Sequence, residues 1–233
     1  LPPRAISAVH LRPSAELAER VLVPGDPHRA LFVAQSLLER PLMFNHRRGL
    51  WGYTGMAADG EPVTVQATGM GGASAALVTE ELIALGAKRL VRIGTCGALD
   101  PSASMGELLA VERALAGDGA SRALGAEEGV AADPGITAAL ADAGARVVTA
   151  ATTDLFFEPR EGVEEDWRRR GAAVVEMEAA AVLRVAELRG VQAGCALAVT
   201  DVPGPAGEAE RLGDDELEEL GVKLGELGLA ALS

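Results

Sequence analysis

The chain has 233 residues, 48% of them hydrophobic, which suits a single α/β domain spanning residues 1–233 with a substantial core. Its formal net charge of −13 excludes the basic face that a nucleic-acid backbone requires and works against long-range attraction of anions. Cys96 and Cys195 sit in no CxxC pair or histidine cluster, so neither a disulfide framework nor a metal site is expected.

No apolar run approaches the roughly 20 residues of a membrane span. Leu1-Pro2-Pro3-Arg4 carries no signal-peptide pattern. A cytoplasmic setting, with no membrane partner, is the expectation.

In chain order, Glu19–Val23 reads as a short apolar strand that breaks at Pro24-Gly25-Asp26-Pro27, with a helix from about His28 to Leu38. Gly49–Ala57 and Glu61–Thr68 read as strands joined by an Asp59-Gly60 turn. The glycine loop Gly69–Gly72 precedes a helix over Ala73–Leu85, stopped by Gly86. Arg89–Gly94 is a buried strand and Glu107–Arg113 another; Gly117–Pro134 reads as a loop. Helix Ile136–Ala143, strand Arg146–Ala150 and a charged helix Arg160–Arg170 follow. Helix Glu176–Leu188, strand Ala193–Val199 and helix Asp214–Ala230 complete the pattern. The alternation predicts a mixed, mostly parallel twisted sheet with helices on both faces. Ligands in such folds gather at the carboxyl ends of strands.

Four clusters fall at such ends. Pro24–Arg29 offers a flexible Gly25, a helix N-terminus and Arg29 to an anion, or is an ordinary turn with an exposed arginine. Arg92 lies inside an apolar strand and needs a partner, either a structural carboxylate or a bound anion; Gly94 and Thr95 follow it. Glu176-Met177-Glu178 opens the predicted helix, where carboxylates either complement the helix dipole or accept sugar hydroxyls. Thr200-Asp201 ends a strand and supplies either a turn aspartate or a general acid.

Taken together, LVPGDPHRA, NHRRGLWGYTG, TGMGGASAALVTEELIALGAKRLVRIGTCGAL, TTDLFFEP, VVEMEAAAVLRVAELRGV and AVTDVP resemble successive signatures of the nucleoside phosphorylase family, in particular its hexameric bacterial purine members. The likeness runs in order from about residue 10 to 211. It implies the family's fold and the reversible phosphorolysis of purine ribo- or deoxyribonucleosides to free base and pentose 1-phosphate. It implies a phosphate site of Gly25, Arg29, Arg92 and Thr95, with Arg48 reaching in from a neighbouring subunit. His10 of that neighbour would bind the sugar 5′-hydroxyl. Met177 and Glu178 would hold ribose, with Glu176 and Thr200 beside the nucleoside. Phe156 would pack on the base, Asp201 would protonate purine N7 and Arg211 would assist it. The implied assembly is a hexamer, a trimer of dimers. No metal or organic cofactor is implied; inorganic phosphate is a co-substrate.

The chemistry suits those roles. Arginines neutralise a phosphate through charge-assisted, partly bidentate hydrogen bonds. Phosphate held below C1′ makes its attack a local event. An oxocarbenium-like transition state pushes electrons onto the purine, and protonation there is worth about 10²–10⁴-fold.

Thr95 and Phe157 stand where serine and tyrosine are frequent in the family, and the glycine- and proline-rich Pro203–Gly207 stretch is short. Rival readings are a uridine phosphorylase, a hydrolytic nucleosidase of the same fold, and a nucleoside-binding or storage protein without turnover. No convincing glutamine–arginine pair for a pyrimidine edge is present, and a hydrolase would not need three arginines gathered on phosphate.

Overall fold

The computed structural model describes residues 7–203 and 209–233. The terminal segment Leu1–Arg4 and most of the Pro203–Gly207 stretch singled out above lie outside the described residues. The first half runs β1 (Arg20–Pro24), α1 (Pro27–Leu37), β2 (Glu39–Asn45), a 3₁₀ turn at Arg47–Gly49, β3 (Gly52–Met56), β4 (Pro62–Gln66) and α2 (Gly72–Leu85). Then come β5 (Arg89–Ala98), β6 (Leu108–Ala116), α3 (Gly119–Ala123), β7 (Val130–Ala131), α4 (Pro134–Asp142) and β8 (Arg146–Thr152). The chain ends with α5 (Val163–Arg169), β9 (Ala172–Glu176), α6 (Ala179–Arg189), β10 (Gln192–Pro203), β11 (Ala209–Arg211) and α7 (Asp214–Ala230). Among the described residues no helix is long and apolar enough to cross a membrane.

The strands form one mixed sheet whose centre is parallel. β1 pairs in parallel with β4 and β5, and β3 and β2 extend that wing antiparallel. Beyond β5 the sheet closes on itself. β5 pairs with β10, β10 with β6, β6 with β8, β8 with β9, and β9 returns to β5 at Gly97 and Ala98. This five-strand ring draws the carboxyl ends of β1, β5 and β9 together.

Period-two alternation supplies the two larger of three apolar clusters among the described residues. Val21, Val23, Leu90, Leu197 and Val199 pack with Val78 and Leu82 of α2 and Leu183 of α6. Leu22, Val91, Ile93 and Ala198 pack with Val33 of α1, Leu140 of α4 and Leu224 of α7. Helices therefore cover both faces, as the strand–helix alternation predicts.

Several boundaries differ from the sequence reading. β2 is an added edge strand: Glu39, Arg40, Leu42 and Met43 are exposed, so no alternating apolar pattern marks it, and Pro41 is tolerated at an edge. The segment read as a loop over 117–134 contains α3, capped by Asp118 accepting from Ser121 N at 2.8 Å, and β7. The charged helix begins at Val163 rather than Arg160 because Gly162 turns left-handed at φ 78°. Glu176 ends β9 and does not open the following helix, which starts at Ala179. Thr200 and Asp201 lie inside β10, whose last residues gain an antiparallel partner in β11.

Close packing of α7 depends on glycines. A methyl group on Gly228 would lie 2.8 Å from Leu22 Cδ2 and 2.9 Å from Ile93 Cγ2, and one on Gly225 2.7 Å from Val33 Cγ1. Gly228→Val should therefore overpack this face and destabilise the protein by about 1–3 kcal/mol. A urea midpoint unchanged from wild type would contradict the contact.

Candidate active site

A cavity of about 560 Å³ opens at the carboxyl ends of β1, β5 and β9 and the last residues of β10; its walls include Gly25, Arg29, Arg92, Glu178, Phe156 and Asp201. Thr95, Glu176, Met177 and Arg211 also line it.

Arg92 is the centre of its polar end. The residue is 3% exposed in the middle of β5. Its Nε donates to Glu176 Oε2 at 2.9 Å, and Nη2 lies 2.9 Å from that oxygen and 2.5 Å from Glu178 Oε2. Burial alone would lower its pKa; Glu178 and Glu176 outweigh burial and raise it. Its Nη1 is buried with no hydrogen-bond partner among the described residues. That nitrogen faces the β1–α1 turn, 3.9 Å from where a Gly25 side chain would start. An unpaired buried donor of this kind needs an acceptor.

Glu176 has both oxygens engaged by the protein. Oε2 also accepts from Glu178 N and Ala179 N at 2.8 Å each, and Oε1 accepts from the Thr152 hydroxyl at 2.5 Å. It lines the cavity, and its work there is to brace Arg92 and the start of α6. Burial pushes its pKa up, with Arg92 opposing and Glu178 adding to the rise. Glu178 accepts from Gly71 N at 2.6 Å, so the glycine loop grips this carboxylate.

Arg29 sits in the first turn of α1, half-buried, and makes no ion pair among the described residues. Burial lowers its pKa; Asp26 and Glu178 oppose that shift and Arg92 reinforces it. One expectation needs correcting. Asp26 caps α1 by accepting from His28 N at 3.0 Å and Arg29 N at 3.2 Å. Those helix N–H groups are thus occupied, which leaves anion binding at this turn to the arginine side chains and the Gly25 backbone.

The other end of the cavity pairs an aspartate with an arginine. Across the β10–β11 rung, Arg211 Nε lies 2.5 Å from Asp201 Oδ1. Asp201 Oδ2 accepts from the Thr200 hydroxyl at 2.9 Å, so Thr200 supports Asp201 without lining the cavity. The Arg211 guanidinium lies 5.1 Å from the centre of the Phe156 ring, within cation–π range. Phe157 meets Phe156 edge-on at 5.0 Å and is 84% exposed.

His10 and Arg48 do not line this cavity. His10 Nδ1 lies 2.6 Å from Glu81 Oε1, and Glu81 also accepts the N–H groups of Val9, His10 and Leu11. Arg48 is exposed in the 3₁₀ turn, with a left-handed φ of 60°. The two segments meet at Asn45, whose Oδ1 accepts from Arg12 N and Arg47 N. Exposed Leu42 and Met43 border them on β2.

Residues 19–231 match the profile of the Phosphorylase superfamily. The chain belongs to this superfamily. Among its relatives is a "Purine nucleoside phosphorylase DeoD-type" of Geobacillus kaustophilus, 35% identical over 197 residues that cover 81% of this chain and 83% of the relative. A protein of the same name from Caldanaerobacter subterraneus subsp. tengcongensis is 35% identical over 207 residues, covering 84% and 88%. The matched span 19–231 contains the residues named at both ends of the cavity, from Gly25 to Arg211.

Thr152 opens the TTDLFFEP signature, but sequence reasoning gave it no role; its hydroxyl orients Glu176 while accepting Ala180 N at 2.9 Å. Only the position of β8 beside β9 could have exposed that role. It also passed over Glu81, hidden on the buried face of α2.

Burial would raise the Glu81 pKa, but the Leu11, Val9 and His10 donors outweigh it and lower it. A depressed carboxylate contributes stability that is full above its unfolded pKa and is lost as pH falls through the folded one. Acidification below the ordinary glutamate range should therefore loosen residues 9–11. The protection factors of these amides, taken against the intrinsic exchange rate at each pH, should fall at pH 3.5 relative to pH 6, and in Glu81→Gln relative to wild type at neutral pH. Equal protection in all three conditions would argue against this anchor.

Proposed function

We infer that the chain is a purine nucleoside phosphorylase, an enzyme that cleaves purine nucleosides with inorganic phosphate to free base and pentose 1-phosphate. The observation that carries phosphate as the nucleophile is the buried, unpartnered Nη1 of Arg92 facing Gly25, with Arg29 on the same cavity wall. The names of the relatives support the purine as substrate.

In this reading phosphate lies between Gly25, Arg29, Arg92 and Thr95, where arginine forks complement its oxygens. Glu178 and Met177 take the ribose, the free lone pairs of Glu178 accepting its hydroxyls. Phe156 packs on the base. Phosphate attacks C1′ as the glycosidic bond breaks through an oxocarbenium-like state, and the bonding electrons move onto the purine. Asp201 gives its proton to N7. Arg211, 2.5 Å from Asp201, stabilises the carboxylate left behind. The reaction uses phosphate as co-substrate and needs no metal or organic cofactor.

His10 and Arg48 complete the site of a second copy in this proposal. The exposed Leu42 and Met43 beside them suit a symmetric interface, within a hexamer built as a trimer of dimers in the cytoplasm.

Release of free base from inosine, adenosine and guanosine should require phosphate, with uridine a poor substrate. Phosphate-independent cleavage would instead identify a nucleosidase, and binding without turnover a storage protein. Arg29→Ala should raise the phosphate KM about tenfold or more through loss of a charge-assisted contact; an unchanged phosphate dependence would remove Arg29 from the site. Asp201→Asn should slow adenosine about tenfold more than inosine, because the adenine leaving group gains more from N7 protonation. Equal losses on the two substrates would count against the proton-donor role.

A further inference from the structure

Helix α7 lies against α1, and its glycines do not all serve the same contact. Gly225 and Gly228 approach apolar side chains of α1 and the sheet. Gly221, one turn earlier, approaches an arginine. A methyl group there would lie 3.3 Å from Arg29 Cγ, 3.6 Å from Cδ and 3.7 Å from Nε. The stem of Arg29 therefore runs along the bare backbone of α7. Glycine weakens a helix interior relative to alanine, so helix formation alone does not explain its presence.

The helix has little room to yield. Arg89 holds its C-terminal end by donating to the carbonyls of Leu232 at 2.7 Å and Ala231 at 3.0 Å. At its start, Glu216 accepts from Gly213 N at 3.0 Å. The three atoms nearest a methyl group at Gly221 all belong to the flexible arginine stem, so bulk added there moves Arg29.

We propose that Gly221 is a positioning residue for the phosphate arginine. The missing side chain leaves a channel for the Arg29 stem and sets how far its guanidinium reaches toward Gly25 and the free Nη1 of Arg92. This rests on the assignment of Arg29 to phosphate made above.

The test compares Gly221→Ala, Gly221→Ser, Gly225→Ala and Arg29→Ala in the intact protein, by inorganic-phosphate titration calorimetry, steady-state kinetics and thermal melting. Gly221→Ala should raise the phosphate Kd and KM about fivefold or more, since small displacements of a positioning group are costly. Its nucleoside KM should stay within about twofold, and its melting temperature should hold or rise, because alanine favours the helix. Gly221→Ser should weaken phosphate in the same way. Gly225→Ala, whose methyl would press on Val33 at 2.7 Å and Leu37 at 3.0 Å, should lower the melting temperature and leave phosphate affinity alone. Selective loss of phosphate affinity without loss of stability is what a purely structural glycine would not produce. If Arg29→Ala weakens phosphate and both Gly221 variants bind it normally, the proposal is overturned. If Arg29→Ala itself leaves phosphate binding intact, the assignment beneath it fails instead.

Discussion

Arg92 is a full charge in the middle of an apolar strand, and most of the cavity is arranged to keep it there. Two carboxylates meet it from a different part of the chain, Glu176 from the end of β9 and Glu178 from the start of α6. Removing one partner from such a buried arrangement costs about 3–5 kcal/mol, because the remaining charge is stranded. Each carboxylate is itself secured: Glu176 by Thr152 and two backbone N–H groups, Glu178 by Gly71. One guanidinium thereby ties β5, β8, β9, α6 and the glycine loop before α2 to a single point.

Closure of the sheet makes that point possible. In an open parallel sheet β9 would lie far from β5 along the strand order. Here β9 turns back onto β5 at Gly97 and Ala98, and a side chain on Gly97 would start 3.6 Å from Val175 Cγ1 and 3.9 Å from Asp201 Cβ. The ring thus brings the Arg92 end and the Asp201 end of the cavity to the rim of one barrel. A bulge between Val199 and Asp201 shifts the register there, and such bulges commonly re-aim a side chain.

Much of this was legible in the sequence because long periodic segments and glycine stops mark α2, α6 and the central strands. An arginine inside Leu90-Val91-Arg92-Ile93 announced a buried charge in need of a carboxylate or an anion, but that Glu176 and Glu178 are its partners emerges only from the fold. What stayed hidden depended on pairing between distant segments. β9 is five residues long and runs into a helix with similar alanine-rich composition, so the strand and the true helix start could not be separated. That confusion put Glu176 on a helix, although its position at a strand end is what lets it reach Arg92. β2 lacked an apolar period because residues on both of its faces, Glu39, Arg40, Leu42 and Met43, are exposed. Asp26 was read as part of an anion-binding turn, whereas as the α1 cap it consumes the very N–H groups that reading relied on.

The charge balance explains why the proposed site should span two copies of the chain. Every neighbour of the Glu176 oxygens is a donor, including a Thr152 hydroxyl whose own lone pair takes Ala180 N, so the hydrogen bonding suits a carboxylate. Two carboxyl groups meet the single guanidinium of Arg92, and Arg29 is the second arginine on the same wall. A phosphate dianion entering a protein of net charge −13 gains nothing from the distant field, which solvent ions screen beyond about 8–10 Å. A further cation close to the site is therefore needed, and this chain's own cavity wall offers none at that end beyond Arg29 and Arg92 among the described residues. Arg48, exposed on a turn that does not line its own cavity, is available to a neighbour. On this argument an isolated chain would lack both the proposed His10 contact to the sugar and the Arg48 charge and would bind phosphate weakly, and assembly would supply what is missing.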